Sequence, residues 1–382
     1  MSAPGRLGEL FRLFVQLGFV AFGGPAAHIA MLEDEVVSRR GWMDRQHFLD
    51  LVGATNLIPG PNSTEMVLHI GYERAGWKGL CVAGVSFILP AVLLTGLAAW
   101  AYVTWGTLPA VEPFLVGIKP AVLVLILAAL WKLGQKAISG WELGVLAVGL
   151  AAAALMGVNE ILALLGGGLL GMLILRRRAA PSTTAERWLP LLLQSTGPAA
   201  AAGAAAAKVS LWKLGWFFLK VGSVLYGSGY VLIAFLEGGL VQETGWLTQA
   251  QLLDAVAIGQ FTPGPILSTA TFVGYVIEGV PGAVVATVGI FLPAFLLVGL
   301  LNPLIPRLRA SAWMSAFLDA VNAAAVALML AVSVDIGRQV LLSVESMLVC
   351  GAAALAVFAF RLGSVWVILG GAVAGALLAL FV

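Results

Sequence analysis

The stretch Asn56-Leu57-Ile58-Pro59-Gly60-Pro61-Asn62-Ser63-Thr64-Glu65 lies inside one apolar run of membrane-spanning length, and Gln260-Phe261-Thr262-Pro263-Gly264-Pro265 lies inside another. Proline has no amide hydrogen and glycine frees the backbone torsions, so each Pro-Gly-Pro has to interrupt a helix. In lipid, an interrupted helix persists only where it is buried in protein or lines a polar cavity. Two interruptions at corresponding places of two halves point to the substrate site of a transporter.

The rest of the chain supports that reading. Of 382 residues, 60% are hydrophobic and only 10% charged, and the mean hydropathy is +1.00. Apolar runs long enough to cross a bilayer recur from end to end, which excludes a soluble domain and indicates a polytopic α-helical membrane protein. The net charge of +2 says little, because the placement of charge matters more than its sum. Cys81 and Cys350 both sit in apolar runs, without a CxxC or a His cluster, and read as packing residues. The first apolar run is broken by Gly23-Gly24-Pro25 and lacks a small-residue cleavage site, so no cleaved signal is expected.

An internal duplication covers nearly everything. Aligning Pro59 with Pro263 also pairs Phe14 with Phe218, Gly18 with Gly222, Gly23 with Gly227, Glu33 with Glu237, Trp42 with Trp246 and Asp50 with Asp254. After a single-residue slip, Gly71-Tyr72 falls on Gly274-Tyr275, Leu89-Pro90-Ala91 on Leu292-Pro293-Ala294, and Lys119 on Asn322. Near the ends, Gly166-Gly167 and Gly171 resemble Gly370-Gly371 and Gly375. A series of this length is a repeat. The expected organisation is a first repeat over 1–175, a linker over 176–207 with a basic cluster and an Ala/Gly-rich run, and a second repeat over 208–382.

Each half offers six apolar segments; in the first they fall near 10–32, 47–72, 78–104, 110–131, 141–156 and 160–175. The segment holding Pro59 is flanked by Arg39, Arg40 and Arg45 before it and Arg74 and Lys78 after it. Its counterpart is flanked only by Glu237, Glu243 and Glu278. Cytoplasmic loops collect Lys and Arg, so a spanning helix would not carry basic residues on both flanks. A re-entrant hairpin entering from the cytoplasm in one half and from outside in the other would. Continued along the chain, this places most of the 21 basic residues inside, with Arg6, Arg12 and Arg338 outside. The expected fold is an all-α membrane protein of two homologous halves in inverted orientation, each with about five spanning helices plus one re-entrant Pro-Gly-Pro hairpin.

The run Phe22-Gly23-Gly24-Pro25-Ala26-Ala27-His28, then Arg40-Gly41-Trp42, Asn56 to Glu65, Gly71-Tyr72 and Gly117-Ile118-Lys119-Pro120 resembles the chromate ion transporter family. Tyr226-Gly227-Ser228-Gly229-Tyr230 and Gln260 to Pro265 resemble that family's companion pattern, as in its long, two-domain members. The resemblance implies export of chromate from the cytoplasm across the inner membrane, with sulfate as the usual isostere. Energetics then makes a secondary transporter in the lipid bilayer the expectation: an inside-negative potential drives a dianion outward without ATP, and proton exchange would add further drive. A homodimer is compatible with it; a cofactor, a metal or a nucleic-acid partner is not expected.

The residues suit an oxyanion. Helix N-termini present unpaired N–H groups and a partial positive charge. A helix restarting after Pro61 would aim the amides of Asn62, Ser63 and Thr64 inward, and one restarting after Pro265 would offer Ile266, Leu267 and Ser268. With the motif positions Asn56, Gly60, Gly23, Gly24, Ser228 and Gly264, these are the candidate substrate contacts. The plainer reading is that Asn62 caps its helix and Glu65 completes a capping box. Lys119 lies about ten residues into its span before Pro120, where an ionisable residue costs roughly 2.5–3.5 kcal/mol on insertion scales and is functional by default. An ion pair with Glu65 or Asp319 is its structural alternative, and its repeat mate Asn322 is polar but uncharged. Glu65, His28, His69 and Glu33 are candidates for proton coupling or gating; an interior histidine such as His28 or His69 is more often simply satisfied. Asp50 and Asp254 read as helix-dipole residues behind the N-caps Asp44 and Thr248.

Other classes fit less well. Ser228 lies in a Gly-Ser-Gly turn, but His28, His47 and His69 all lie in the other half, and there is neither an HExxH nor a Gly-rich phosphate loop with Lys-Ser/Thr. A hydrolase or an ATP-driven pump is therefore not expected. A channel would show the same repeat without a clear need for paired hairpins.

Overall fold

The computed structural model describes residues 3–21, 25–55, 57–106, 111–179, 209–226, 229–302 and 311–378, and among them every regular element is helical. The first half contains α1 (Ala3–Val20), α2 (Pro25–Glu33) with a π-helical continuation (Asp34–Arg39), α3 (Arg45–Thr55), α4 (Asn62–Trp105), α5 (Glu112–Ala137), α6 (Trp141–Leu155) and α7 (Glu160–Ala179). The second half repeats the series as α8 (Leu211–Val224), α9 (Leu232–Leu236) with its own π-helical turn (Glu237–Glu243), α10 (Gln249–Phe261), α11 (Thr269–Leu301), α12 (Ala312–Val340), α13 (Val344–Ala354) and α14 (Ser364–Leu378). The apolar segment expected over 10–32 is thus two helices, with Pro25 as the first residue of the second, the position where its missing N–H costs nothing. Most of the expected linker lies outside the described residues.

Local signals place the helix starts. Asp44 Oδ1 accepts the His47 amide at 2.8 Å ahead of α3. Thr248 and Gln251 form a full capping box before α10, with the Gln251 amide donating to Thr248 Oγ1 at 3.2 Å and the Thr248 amide donating to Gln251 Oε1 at 2.9 Å.

α4 and α11 each contain a second break that the apolar pattern hides. Ala75 (φ −152°, ψ 28°) and Gly76 (φ 58°, ψ −149°) are non-helical, and Glu278 (φ −139°, ψ 29°) and Gly279 (φ 60°, ψ −148°) repeat the same torsions. Only glycine adopts that last region readily. The chain then folds back: Gly71 faces Gly79 and Gly274 faces Gly282, backbone to backbone, with no room for a Cβ. Residues 62–74 and 77–105 are therefore separate antiparallel arms. The first arm is about 20 Å long and α3 about 16 Å, both shorter than a hydrocarbon core of ~30 Å.

Within each half, α1 crosses α4 and α8 crosses α11 at matching prolines. Gly18 lies against Pro90 and the Phe87 carbonyl, and Gly222 lies against the Ile290 carbonyl. The ends of the halves are exchanged. α6 and α7 pack on α12 of the second half, while α13 and α14 pack on α5 of the first. Small residues make this close approach feasible. Gly171 meets Ala320, and Gly117 meets the backbone of Gly371 and Gly375. The glycine pattern near the two chain ends is thus the pattern of two equivalent crossings.

Among the described residues, four helical segments are long and apolar enough to cross a membrane: Asn62–Trp105 and Ile266–Leu301, each broken at its fold-back, and Pro113–Ala137 and Ala312–Val340. Four shorter apolar helices accompany them. Their outer faces carry exposed Trp131, Trp141, Val145, Val148, Leu162 and Trp366, as expected of surfaces in contact with lipid. The chain is an integral, multi-pass membrane protein.

Candidate functional site

The two Pro-Gly-Pro breaks meet the opposite halves. The Gly60 amide donates to the Leu225 carbonyl at 2.6 Å, and the Gly264 amide donates to the Ala21 carbonyl at 2.8 Å. Ala21 and Leu225 are repeat mates at the ends of α1 and α8, so these two bonds are one contact made twice. Both glycines have positive φ, 146° and 96°. A Cβ on Gly264 would lie 2.8 Å from Ala91 Cβ, and one on Gly60 would lie 3.5 Å from Ala294 Cβ and collide with the Glu65 carboxylate. Ala91 and Ala294 are again mates, each following a helix-interior proline. The two breaks, the ends of α1 and α8, and the prolines of α4 and α11 therefore converge on one region between the halves.

At the first break the helix restarts at Asn62, but its N-cap is Pro61, in extended conformation (φ −83°, ψ 108°) and without a side-chain cap bond. This corrects the expected Asn62–Glu65 capping box: a proline cap has no side-chain acceptor, and Glu65 points instead toward Gly60. Asn62 has an interaction of its own; Ser63 and Thr64 are buried. Glu65 is fully buried, and among the described residues neither of its carboxylate oxygens has a hydrogen-bond partner, nor does Thr64 Oγ1. Tyr226, beside Leu225, lies within electrostatic reach of Glu65. One helical turn beyond Glu65, His69 is also fully buried; its Nδ1 bonds Asn302 Oδ1 at 2.8 Å, while Nε2 is unpartnered among the described residues. His28 donates from Nε2 to the Ala21 carbonyl at 2.9 Å, the same oxygen that accepts Gly264.

The second break is chemically different. Ile266–Ser268 form a 3-10 turn before α11. Ser268 is buried, with its hydroxyl 3.2 Å from Thr95 Oγ1, and Thr95 is 3.4 Å from Thr262 Oγ1. Here the hydroxyls satisfy one another across the halves. Thr95 and Thr262 were not among the expected site residues. The signal that could have found Thr95 is a lone hydroxyl in an otherwise apolar run, with a valine, Val298, at the mate position.

Lys119 is half-buried on α5. The acid whose charge it reaches is Asp254 on α10; neither Glu65 nor the exposed Asp319 pairs with it among the described ion pairs. Asp254 is buried, accepts the Tyr102 hydroxyl at 2.8 Å through Oδ2, and has no partner at Oδ1 among the described residues. The cation thus lies within electrostatic reach of a carboxylate from the other half, on the arm that leads to Gly264 and about 13 Å before Pro263 along the helix. The expected helix-dipole role for Asp254 understates this, because the sequence alone does not tell which face of α10 turns toward α5. Asn322 is half-buried on α12. Glu33, the last residue of α2, pairs with Arg45 at 3.1 Å. Asn56, Gly23, Gly24 and Ser228 lie outside the described residues. Among the described residues no three His, Cys, Asp or Glu are grouped to hold a metal.

Comparison with known proteins places this arrangement. A family model described as "Chromate transporter" matches residues 8–172 and again 212–376. A "Probable chromate transport protein" of Synechococcus elongatus is 30% identical over 349 residues, 90% of this chain and 88% of the relative. A "Chromate transport protein" of Cupriavidus metallidurans is 30% identical over 327 residues, 84% of this chain and 80% of the relative. One of Pseudomonas aeruginosa is 32% identical over 390 residues, 98% of this chain and 92% of the relative. No solved structure matches the chain.

Proposed function

Because the chain belongs to the chromate transporter family, a family of transport proteins and not enzymes, we propose that it exports chromate, or a tetrahedral oxyanion of like size and charge, from the cytoplasm by alternating access around its two Pro-Gly-Pro breaks. The observation that carries the mechanism is the reciprocal pair of bonds, Gly60 to Leu225 and Gly264 to Ala21. Each break is held by the other half, so relative movement of the halves must remake both contacts together. The short arms on either side of each break fit re-entrant hairpins, entering the inner membrane from the cytoplasm in the first half and from outside in the second, in agreement with the basic flanks of one and acidic flanks of the other. The oxyanion is received by the amides that open the arm after Pro61, by Ser268 and by Lys119, whose charge Asp254 balances when the site is empty.

Direction follows from energetics. An inside-negative potential contributes ~2.3 kcal/mol per charge per 100 mV, so a departing dianion gains roughly twice that. Glu65 and His69 supply a route for protons. Glu65 has no hydrogen-bond partner among the described residues, and a buried carboxylate is costly to keep charged without one; Glu65 is therefore the group that takes up and releases the proton, with His69 one turn further along the same face. Their repeat-mate region, Thr269 and Val273, has no titratable group, which confines the proton step to the first half.

Purified protein in liposomes tests the reading. With chromate inside, efflux above that of protein-free liposomes is expected, faster when the interior is made negative and slower, though still driven by the chromate gradient, when the potential is collapsed. A panel of sulfate and molybdate ranks the substrates. Absence of flux with every oxyanion, from folded protein, would overturn the proposal. Glu65→Gln should leave the potential dependence and remove acceleration by a pH difference; unchanged pH acceleration would release Glu65 from the proton role.

A further inference from the structure

The halves pack along α4 and α11, and the repeat provides two equivalent sides to that seam. On one side Trp77 lays the outer edge of its indole on Gly299, and Phe295 lays its ring on Gly84, at distances that exclude a Cβ at either glycine. On the other side the equivalent residues are Val280 over Gly96 and Val92 over Thr287. Two aromatic rings are replaced there by two isopropyl groups. The seam stands open on that side as a groove of about 480 Å³, and the nearest atom to a Cβ on Gly96 would be Thr271 Cγ2 at 3.9 Å.

The groove is almost wholly apolar: among its lining residues only Tyr275, Thr271 and Thr287 carry polar groups. The Thr271 and Thr287 hydroxyls bond each other at 2.7 Å, and Thr287 donates to the Ala283 carbonyl at 2.7 Å. No charged residue lines it, and its rim of Leu93, Leu97, Val284 and Val288 is more than half exposed. These rim residues belong to two of the apolar helices long enough to cross a membrane, so the groove opens on hydrocarbon. An unfilled apolar groove forfeits dispersion contacts along its whole lining, and the opposite side shows that the same backbone arrangement is normally filled by apolar groups of ring size.

We propose that this groove is a lipid site that holds one acyl chain of a phospholipid in the volume that Trp77 and Phe295 occupy on the other side. The chain wedges between helices of opposite halves. Movement of α4 against α11 therefore compresses it on one side of the molecule only, and the rate of that movement depends on the chain that fills it. The site is independent of what the protein transports.

The test uses the full-length protein in bilayers of phosphatidylethanolamine and phosphatidylglycerol that contain a phospholipid with a mid-chain diazirine. After illumination, cross-links mapped by mass spectrometry should concentrate on the segments around Leu97 and Val284, above those on the exposed α6 surface at Val145 and Val148. Val280→Trp, which copies the filled side, should abolish the groove cross-links and leave the α6 ones. Val92→Phe fills the other end and serves as the second variant should Val280→Trp fail to fold. Groove cross-links no stronger than those on α6, or unchanged in both variants, would overturn the proposal. A disulfide between two protomers through Val284→Cys that Val280→Trp abolishes would also overturn it, in favour of a second copy of the chain.

Discussion

At Gly60 and Gly264 one residue type meets three demands: a positive φ, an amide free to reach the opposite half, and no Cβ where another chain passes. Alanine fails the first and third. The torsional strain alone is about 1–3 kcal/mol, and the crowding of Ala91 by a side chain at position 264 adds overpacking of about 1–3 kcal/mol. Gly60→Ala and Gly264→Ala should each abolish transport and lower Tm, the second through loss of the Ala21 contact; a fully active Gly264→Ala protein would show that the reciprocal bonds are incidental. Lys119 is the second residue-scale prediction. Lys119→Ala should remove transport while leaving expression intact, and Lys119→Arg should be only partly tolerated, since a planar fork does not replace a compact ammonium. If Asp254 balances Lys119, Asp254→Asn in the Lys119→Ala background should restore stability lost to an unpaired buried carboxylate, measured as Tm. Lys119 and the two breaks were legible in the sequence because a charge or a proline in an apolar run stands out. Asp254, Tyr102 and Thr95 were not, because their partners lie in the opposite half.

At the scale of the element, the decisive objects are the two broken segments. Their Pro-Gly-Pro breaks could be read from the sequence, but the fold-back at Ala75-Gly76 and Glu278-Gly279 could not be read from hydropathy, which runs on unbroken through both. The spacing of Gly71 to Gly79 and of Gly274 to Gly282, repeated in both halves, was the available signal, and it acquires meaning only once the arms are known to touch. The hairpin reading makes a labelling prediction. Cysteines placed near Arg40 and near Lys78 should both react with an impermeant reagent from the cytoplasmic side, and cysteines near Glu243 and Glu278 from outside. Reaction of positions 40 and 78 from opposite faces would convert the hairpin into a spanning helix and remove the inverted arrangement with it.

At the scale of the whole molecule, the halves are interlocked: α6 and α7 lie on α12, and α13 and α14 lie on α5. Substituting leucine at Gly371 should force α14 off α5, costing about 1–3 kcal/mol where the structure can yield and more where it cannot, with a fall in Tm. Gly370, which has nothing within 4 Å of an added Cβ, is the control that should tolerate leucine. The sequence by itself determined that this chain is helical, membrane-embedded, duplicated and broken twice at equivalent points, because composition, periodicity and proline chemistry act locally along the chain. It also determined which residues are equivalent. Only the tertiary structure decided whether equivalent helices pack within their own half or across to the other, which carboxylate faces Lys119, and which side of the central seam is left open. Those outcomes depend on contacts between residues hundreds of positions apart, and a repeat states that two contacts must be alike without stating between which elements they are made.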